Sequence, residues 1–240
     1  QELTSRREHR LAYRLAQDGC DVVLNYHADD GTAQSALRDF EGLPVKAVAV
    51  KADVSTSGGA SHLIETAVRE LGSLDLLVNN VGPFLTRALY DTTDDEWRRT
   101  LDGNLSSAFY CSRAALRVMR EKRAGSITNI GALNVEHSPI GVFEAPAYYI
   151  AKSGVIMLTR SLARSEAPWG IRVNAVNPGF IETETYDRYR DEDKAAWARM
   201  VPLGRLGTPD DVAEAVSYLT SERAQYVTGA VLHVHGGLWV

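Results

Sequence analysis

Cysteine is nearly absent: Cys20 and Cys111 are the only thiols in 240 residues. Two cysteines cannot build a disulfide framework, which excludes a small cross-linked secreted scaffold and makes a reducing compartment, the cytoplasm, the expected home. Also missing is any apolar run long enough to cross a bilayer, and no basic-then-apolar leader opens the sequence as given. A basic surplus is lacking too. Net charge is -5, so nothing stands ready to neutralise phosphates, and a nucleic-acid partner is excluded. The pair Arg6-Arg7 does not change this, because Glu8 follows at once. Neither internal repeats nor low-complexity linkers divide the chain, so residues 1–240 are expected to form one domain, long enough to bury a substantial core.

What is present is an alternation of two patterns. Short apolar runs predict strands at residues 21–26, 45–52, 76–79, 126–130, 172–177 and 230–234. Several, such as Val22-Val23-Leu24 and Leu76-Leu77-Val78, are apolar throughout, as parallel strands covered on both faces must be. Between them lie amphipathic stretches. Leu63, Ile64, Ala67, Val68 and Leu71 share one helical face, as do Val155, Leu158 and Leu162. Thr93 ahead of Asp94-Asp95-Glu96 predicts a capped helix start, and Pro209-Asp210-Asp211 predicts another. Repeated β-α units imply an α/β fold with a doubly wound parallel sheet and right-handed crossovers.

The front departs from that plan. Leu11, Ala12, Leu15 and Ala16 form a helical stripe that Gly19 ends, and a strand follows. A doubly wound fold places a first strand and a glycine-rich turn before such a helix, yet residues 1–8 contain no glycine. Residues 1–7 read as a polar lead-in and Glu8 onward as the helix itself. About a dozen residues, one strand plus its turn, are therefore expected to be missing between Arg7 and Glu8, with a break or anomalous connection there.

Five motifs carry chemistry, in order along the chain. They are Asn79-Asn80-Val81-Gly82; Asn104 within Leu101-Asp102-Gly103-Asn104-Leu105; Tyr148-Tyr149-Ile150-Ala151-Lys152; Asn177-Pro178-Gly179-Phe180-Ile181-Glu182-Thr183; and Val227-Thr228-Gly229 with Gly236-Gly237. With these, nearly the whole chain resembles the short-chain dehydrogenase/reductase family, its 3-oxoacyl-reductase branch in particular, on a Rossmann-type fold. The resemblance implies an oxidoreductase that interconverts a carbonyl and an alcohol on a small molecule. Tyr148 would be the acid/base, Lys152 would modulate its pKa and hold the nicotinamide ribose, and Asn104 would support a proton-relaying water. Tyr148 and Lys152 are four apart, so a helix projects both from one face, and a nearby ammonium favours phenolate.

The resemblance also implies a nucleotide site at Asp53, Asn79, Gly82, Tyr148, Lys152, Pro178, Gly179, Ile181 and Thr183. Asn25-Tyr26-His27 lacks the acidic residue that would grip an NAD ribose, which favours NADP over NAD. The missing glycine turn leaves open that no nucleotide is bound, because a dinucleotide rests its pyrophosphate on backbone N–H groups at that helix start. A second departure lies at Ala132, in Asn129-Ile130-Gly131-Ala132, where the family's serine hydroxyl would contact the substrate oxygen. Losing one such donor costs about 10²–10³ in rate. In the loop that follows, 133–146, Glu136, His137 and Ser138 are polar, and His137 or Ser138 is a substitute donor unless both are ordinary loop residues.

His233 and His235 alternate on one strand, but no third ligand has metal-site spacing, so no metal is expected. Tyr186, Tyr189 and Trp197, within 182–200, either line an apolar substrate pocket or pack an amphipathic helix. Ile156 and Met157 beside Val155 and Leu158 make one helix apolar beyond a single stripe. With the family's four-helix contact, that implies a homodimer or homotetramer. Two other readings stand beside the oxidoreductase. One is a non-redox enzyme on this fold (a lyase, isomerase or cyclase); the other is an inactive partner subunit that has lost nucleotide binding.

Overall fold

A computed structural model describes residues 6–133, 135, 144–183, 187 and 189–238, the side chain of Arg6 excepted. In chain order the elements are α1 (Arg6–Gln17), β1 (Val22–Tyr26), α2 (Asp30–Arg38), β2 (Ala47–Lys51), α3 (Ser57–Leu71), β3 (Leu76–Asn79) and α4 (Asp94–Leu101). A π-helical turn, Asp102–Ser106, leads into α5 (Ser107–Lys122), β4 (Gly125–Ile130) and α6 (Pro146–Glu166). Then follow β5 (Ile171–Pro178), α7 (Asp191–Met200), α8 (Pro209–Thr220) and β6 (Val231–Val234).

All six strands foreseen in the sequence form, and every pairing is parallel. The helix starts obey local chemistry. Thr93 accepts from Glu96 N while Glu96 returns a bond to Thr93 N, and Thr208 and Asp211 form the same reciprocal pair below Pro209. Asp29 and Thr56 cap α2 and α3. Cys111 is buried, and desolvation pushes its thiol up to about 12, so it packs rather than reacts.

The strands form two sheets rather than one. β1 pairs only with β2, while β3, β4, β5 and β6 are ordered as named. Arg7 and Glu8, between which a strand and turn are expected to be missing, both lie in the first turn of α1. α1 runs through both residues without interruption, because its apolar stripe has a place to go. Leu11 is buried with Ile130, Val176 and Val212, and Ala16 is buried with Val22 and Leu24. Its other side is tied to α8 by Arg10–Asp210 and Arg14–Glu214, each at 2.6 Å. One helix thus spans both sheets. The opposite face is spanned by α3 and α5, whose Leu63 and Cys111 pack with Val50, Val23 and Leu77.

The carboxyl ends of β3, β4 and β5 bring Asn80, Gly131 and Gly179 to one rim of the larger sheet. In open parallel sheets that rim is where ligands bind.

Candidate active site

Pro146 opens α6 at its first turn, and Tyr148 and Lys152 follow one turn apart. Lys152 is only 3% exposed, and its Nζ donates to the Ile130 carbonyl, at the end of β4, at 2.9 Å. The same Nζ lies 5.8 Å from the centroid of the Tyr148 ring. Tyr148 is half-buried, packed edge-on against Phe84 at 4.8 Å and Tyr149 at 5.5 Å between centroids.

Asn104 sits in the π-helical turn between α4 and α5, a distortion frequent at functional sites. It is 1% exposed; Nδ2 donates to the Pro83 carbonyl at 2.9 Å and the Thr100 carbonyl at 3.0 Å, which leaves Oδ1 buried without a partner. Gly82 is required beside it, since a Cβ there would come within 1.8 Å of Asn104 Oδ1. Residues 82–84 therefore join the site. Gly82 and Pro83 touch Asn104, and Phe84 packs on Tyr148.

The electrostatics differ from the sequence expectation. Burial pushes the Tyr148 phenol up to about 12, with Arg7 opposing the rise and Tyr149 adding to it. Burial also pulls Lys152 down to about 7, assisted by Arg7 and opposed by Glu8. A lysine that lowers the phenol's pKa was anticipated; here desolvation governs both groups. Arg7 had no role in the sequence reading. The first turn of α1 brings it within electrostatic reach of both residues, and its Nε is buried without a hydrogen-bond partner. Phe84 was missed as well; neither residue lies in a motif, and only the fold brings them to Tyr148.

The lowered lysine gives a stability test. Its folded value lies near 7 against the usual 10.5, so between those limits the unfolded chain holds a proton that the folded chain has released. Stability therefore rises with pH across that window, and below about pH 7 the penalty for charging a buried amine stands in full. In thermal melts from pH 7 to 10, wild type is expected to gain steadily on Lys152→Met; parallel curves would show that Lys152 keeps an ordinary pKa.

The other residues drawn from the sequence divide into two groups. Asp53, just beyond β2, accepts from Ser55 N at 3.0 Å and Ser55 Oγ at 2.6 Å, and the serine bond holds its carboxyl below the usual range. Pro178 ends β5; Gly179 passes so close to His235 that a Cβ would lie 2.7 Å from it. Ile181 is buried and bridges to Gly207, and Thr183 is half-buried. Asn79 points inward. Its Nδ2 donates to Asn129 Oδ1 at 2.8 Å and Ser112 Oγ at 3.0 Å, fastening β3 to β4 and α5. Ala132 is buried at 6% exposure and offers only a methyl group. Glu136, His137, Ser138 and Tyr186 lie outside the described residues. Tyr189 packs edge-on against Trp197, which also meets Phe180. The His233 and His235 rings are 5.3 Å apart, and no metal-binding group of three or more His, Cys, Asp or Glu occurs among the described residues.

The profile described as enoyl-(acyl carrier protein) reductase matches residues 9–239. A 3-oxoacyl-[acyl-carrier-protein] reductase FabG of Staphylococcus aureus (strain Mu50 / ATCC 700699) is 36% identical over 233 residues, covering 96% of this chain and 92% of its own length. The chain belongs to the short-chain dehydrogenase/reductase family. Glucose 1-dehydrogenase 2 of Bacillus subtilis (strain 168) is also 36% identical, over 95% of this chain and 88% of its own. A crystal structure from Sinorhizobium meliloti 1021, provisionally described as a short-chain alcohol dehydrogenase, superposes with a TM-score of 0.89 at 32% identity, covering 96% of this chain and 90% of that one.

The family implies a nicotinamide dinucleotide, and the residues present meet that ligand unevenly. At the nicotinamide-ribose end, Tyr148, Lys152 and the close-approach residue Gly179 suit it. The pyrophosphate end does not fit. No glycine occurs from residue 6 to residue 18, and Glu8, in the first turn of α1, puts a carboxylate where N–H groups would face an anion. That carboxylate accepts from Asn80 Nδ2 at 3.0 Å.

Proposed function

We propose that this chain interconverts a carbonyl and an alcohol on a small-molecule substrate, with Tyr148 as acid/base and NADP or NAD as its redox partner. One observation carries the reading: Tyr148 stands beside a lysine buried to 3% exposure whose amine is anchored on the end of β4. A phenol held near 12 is fully protonated at neutral pH, which suits a donor to a developing alkoxide. Arg7 brings positive charge toward that oxygen, and the unpartnered Asn104 Oδ1 is an acceptor for a water refilling the proton. Because the pyrophosphate end does not fit, proton transfer is the only step derived from these residues. NADP is preferred, since Asn25 at the end of β1 spends its amide on Ala52 O at 2.9 Å and presents no acid to a ribose.

The Glu8 carboxylate favours a second reading, a lyase, isomerase or cyclase that uses Tyr148 without a nucleotide, or an inactive partner subunit. Oxidation of NADPH or NADH in the presence of a carbonyl panel separates these. Turnover supports the oxidoreductase; turnover of substrate without nucleotide supports the second reading, and no turnover of any kind supports the third.

A homodimer or homotetramer is part of the proposal. Phe109 on α5 and Ile150 and Met157 on α6 are exposed, Met157 at 63%. Ile156 is covered within the chain, so Met157 and its neighbours carry the surface argument. Light scattering at micromolar concentration is expected to give two or four chain masses; a single chain mass unchanged on concentration would contradict it. A cytoplasmic location is proposed from the two free cysteines. No helix among the described residues is long and apolar enough to cross a membrane.

A further inference from the structure

Phe84 is 54% exposed, yet its ring is the one that meets Tyr148 at 4.8 Å, with the two planes at 83°. Its mount is rigid. A Cβ on Gly103 would come within 2.5 Å of Pro83 Cδ, and the Pro83 carbonyl accepts from Asn104 Nδ2 at 2.9 Å. The proline just ahead of Phe84 is thus clamped from two sides, and the phenyl ring is presented with little freedom left to lose on binding. Tyr149 extends the row, edge-on to Tyr148 at 85°. Strand order puts β4, whose Ile130 carbonyl anchors Lys152, between β3 and β5. Beyond β3 comes Phe84; beyond β5 comes half-buried Phe180, tilted against Trp197 at 6.1 Å. Met200 and Leu203 are exposed where α7 ends, and Leu203 N is bonded to the Gly236 carbonyl beyond β6. The flanks of the Lys152 anchor therefore carry carbon surface, much of it aromatic.

These surfaces discriminate among carbonyl compounds. A polyol would set hydroxyl groups against rings that offer them no hydrogen bond, which costs desolvation. A flexible aliphatic chain would cover the carbon but lose rotamer freedom and gain no ring-to-ring geometry. A flat ring loses least and can continue the edge-on series that Tyr149, Tyr148 and Phe84 begin. We propose that the substrate is an aryl ketone or aryl carbinol, whose ring packs on Phe84 while its oxygen faces Tyr148, and that Phe84 is the residue that selects it. The proposal rests on the reading of Tyr148 as acid/base and adds the substrate class to it.

The probes are acetophenone and cyclohexyl methyl ketone, which share a carbon skeleton and differ in whether the ring is aromatic. Each is given to wild type, Phe84→Leu and Phe84→Tyr, and two quantities are read: kcat/KM with NADPH or NADH, and the dissociation constant by ligand-observed NMR. Intrinsic reactivity cancels when the acetophenone-to-cyclohexyl ratio is compared between variants. That ratio is expected to fall about fivefold in Phe84→Leu, the loss of one ring-to-ring contact, and to stay within twofold of wild type in Phe84→Tyr. The ratio of dissociation constants is expected to move the same way. A ratio unchanged in Phe84→Leu, or lowered equally in both variants, would overturn the proposal, as would binding of neither ketone by wild type. Absence of turnover with either nucleotide would count against the oxidoreductase reading, and the binding ratios would then decide the ring preference by themselves. Should Phe84→Leu fail to fold, the wild-type binding preference for acetophenone decides: at least threefold supports the proposal, and less overturns it.

Discussion

Tyr148→Phe is expected to lower turnover of the carbonyl substrate about 10²–10⁴-fold, the range that one positioned acid/base supplies. The substitution removes a single oxygen. The ring stays, and with it the edge-on contacts to Phe84 and Tyr149 and the place over Lys152 Nζ. Thermal stability should therefore hold, because only the hydroxyl is removed and the ring contacts remain. Loss of rate with an unchanged melting temperature assigns the effect to chemistry. Turnover within threefold of wild type would remove Tyr148 from the mechanism, whatever its place in the motif.

Ala132→Ser is expected to raise kcat about 10²–10³-fold, the converse of removing one oxyanion donor. Ala132 lies two residues beyond Ile130, whose carbonyl anchors Lys152, so a hydroxyl there enters the same rim. The residue is 6% exposed, and a hydroxyl buried without a partner costs about 1–3 kcal/mol, so the variant should melt at or below the wild-type temperature while turning over faster. A stability effect alone would leave kcat unmoved. A folded variant with unchanged kcat would show that the substrate oxygen already has its second donor elsewhere.

The sequence disclosed the strands most clearly. Runs such as Leu76-Leu77-Val78 and the alternation of apolar and amphipathic stretches depend on local periodicity, and each appeared within one or two residues of its predicted place. The motif residues were legible for the same reason: Tyr148 and Lys152 need only a helix to face one another. What stayed hidden depends on distant parts of the chain. Arg7 approaches Tyr148 only because α1 docks on α8 through Arg10 and Arg14. Phe84 matters only because the π-helical turn at Asn104 draws residues 82–84 toward α6. The direction of the Tyr148 shift differs from the one expected because spacing reveals a neighbouring charge but not the burial that outweighs it. The gap after Arg7 was seen as missing glycine and missing strand. In the structure β1 and β2 form one sheet and β3 to β6 another, and α1's apolar stripe packs on both.

The most direct test of the central claim, that Tyr148, Lys152 and Asn104 form one working site on this rim, is a crystal structure of the full chain soaked with NADPH. Density for the nicotinamide and its ribose is expected within hydrogen-bonding distance of Tyr148 Oη and Lys152 Nζ, on the side of the cleft that carries Asn104. A well-ordered cleft that stays empty at saturating nucleotide, or nucleotide bound away from Tyr148 and Lys152, would contradict the oxidoreductase reading.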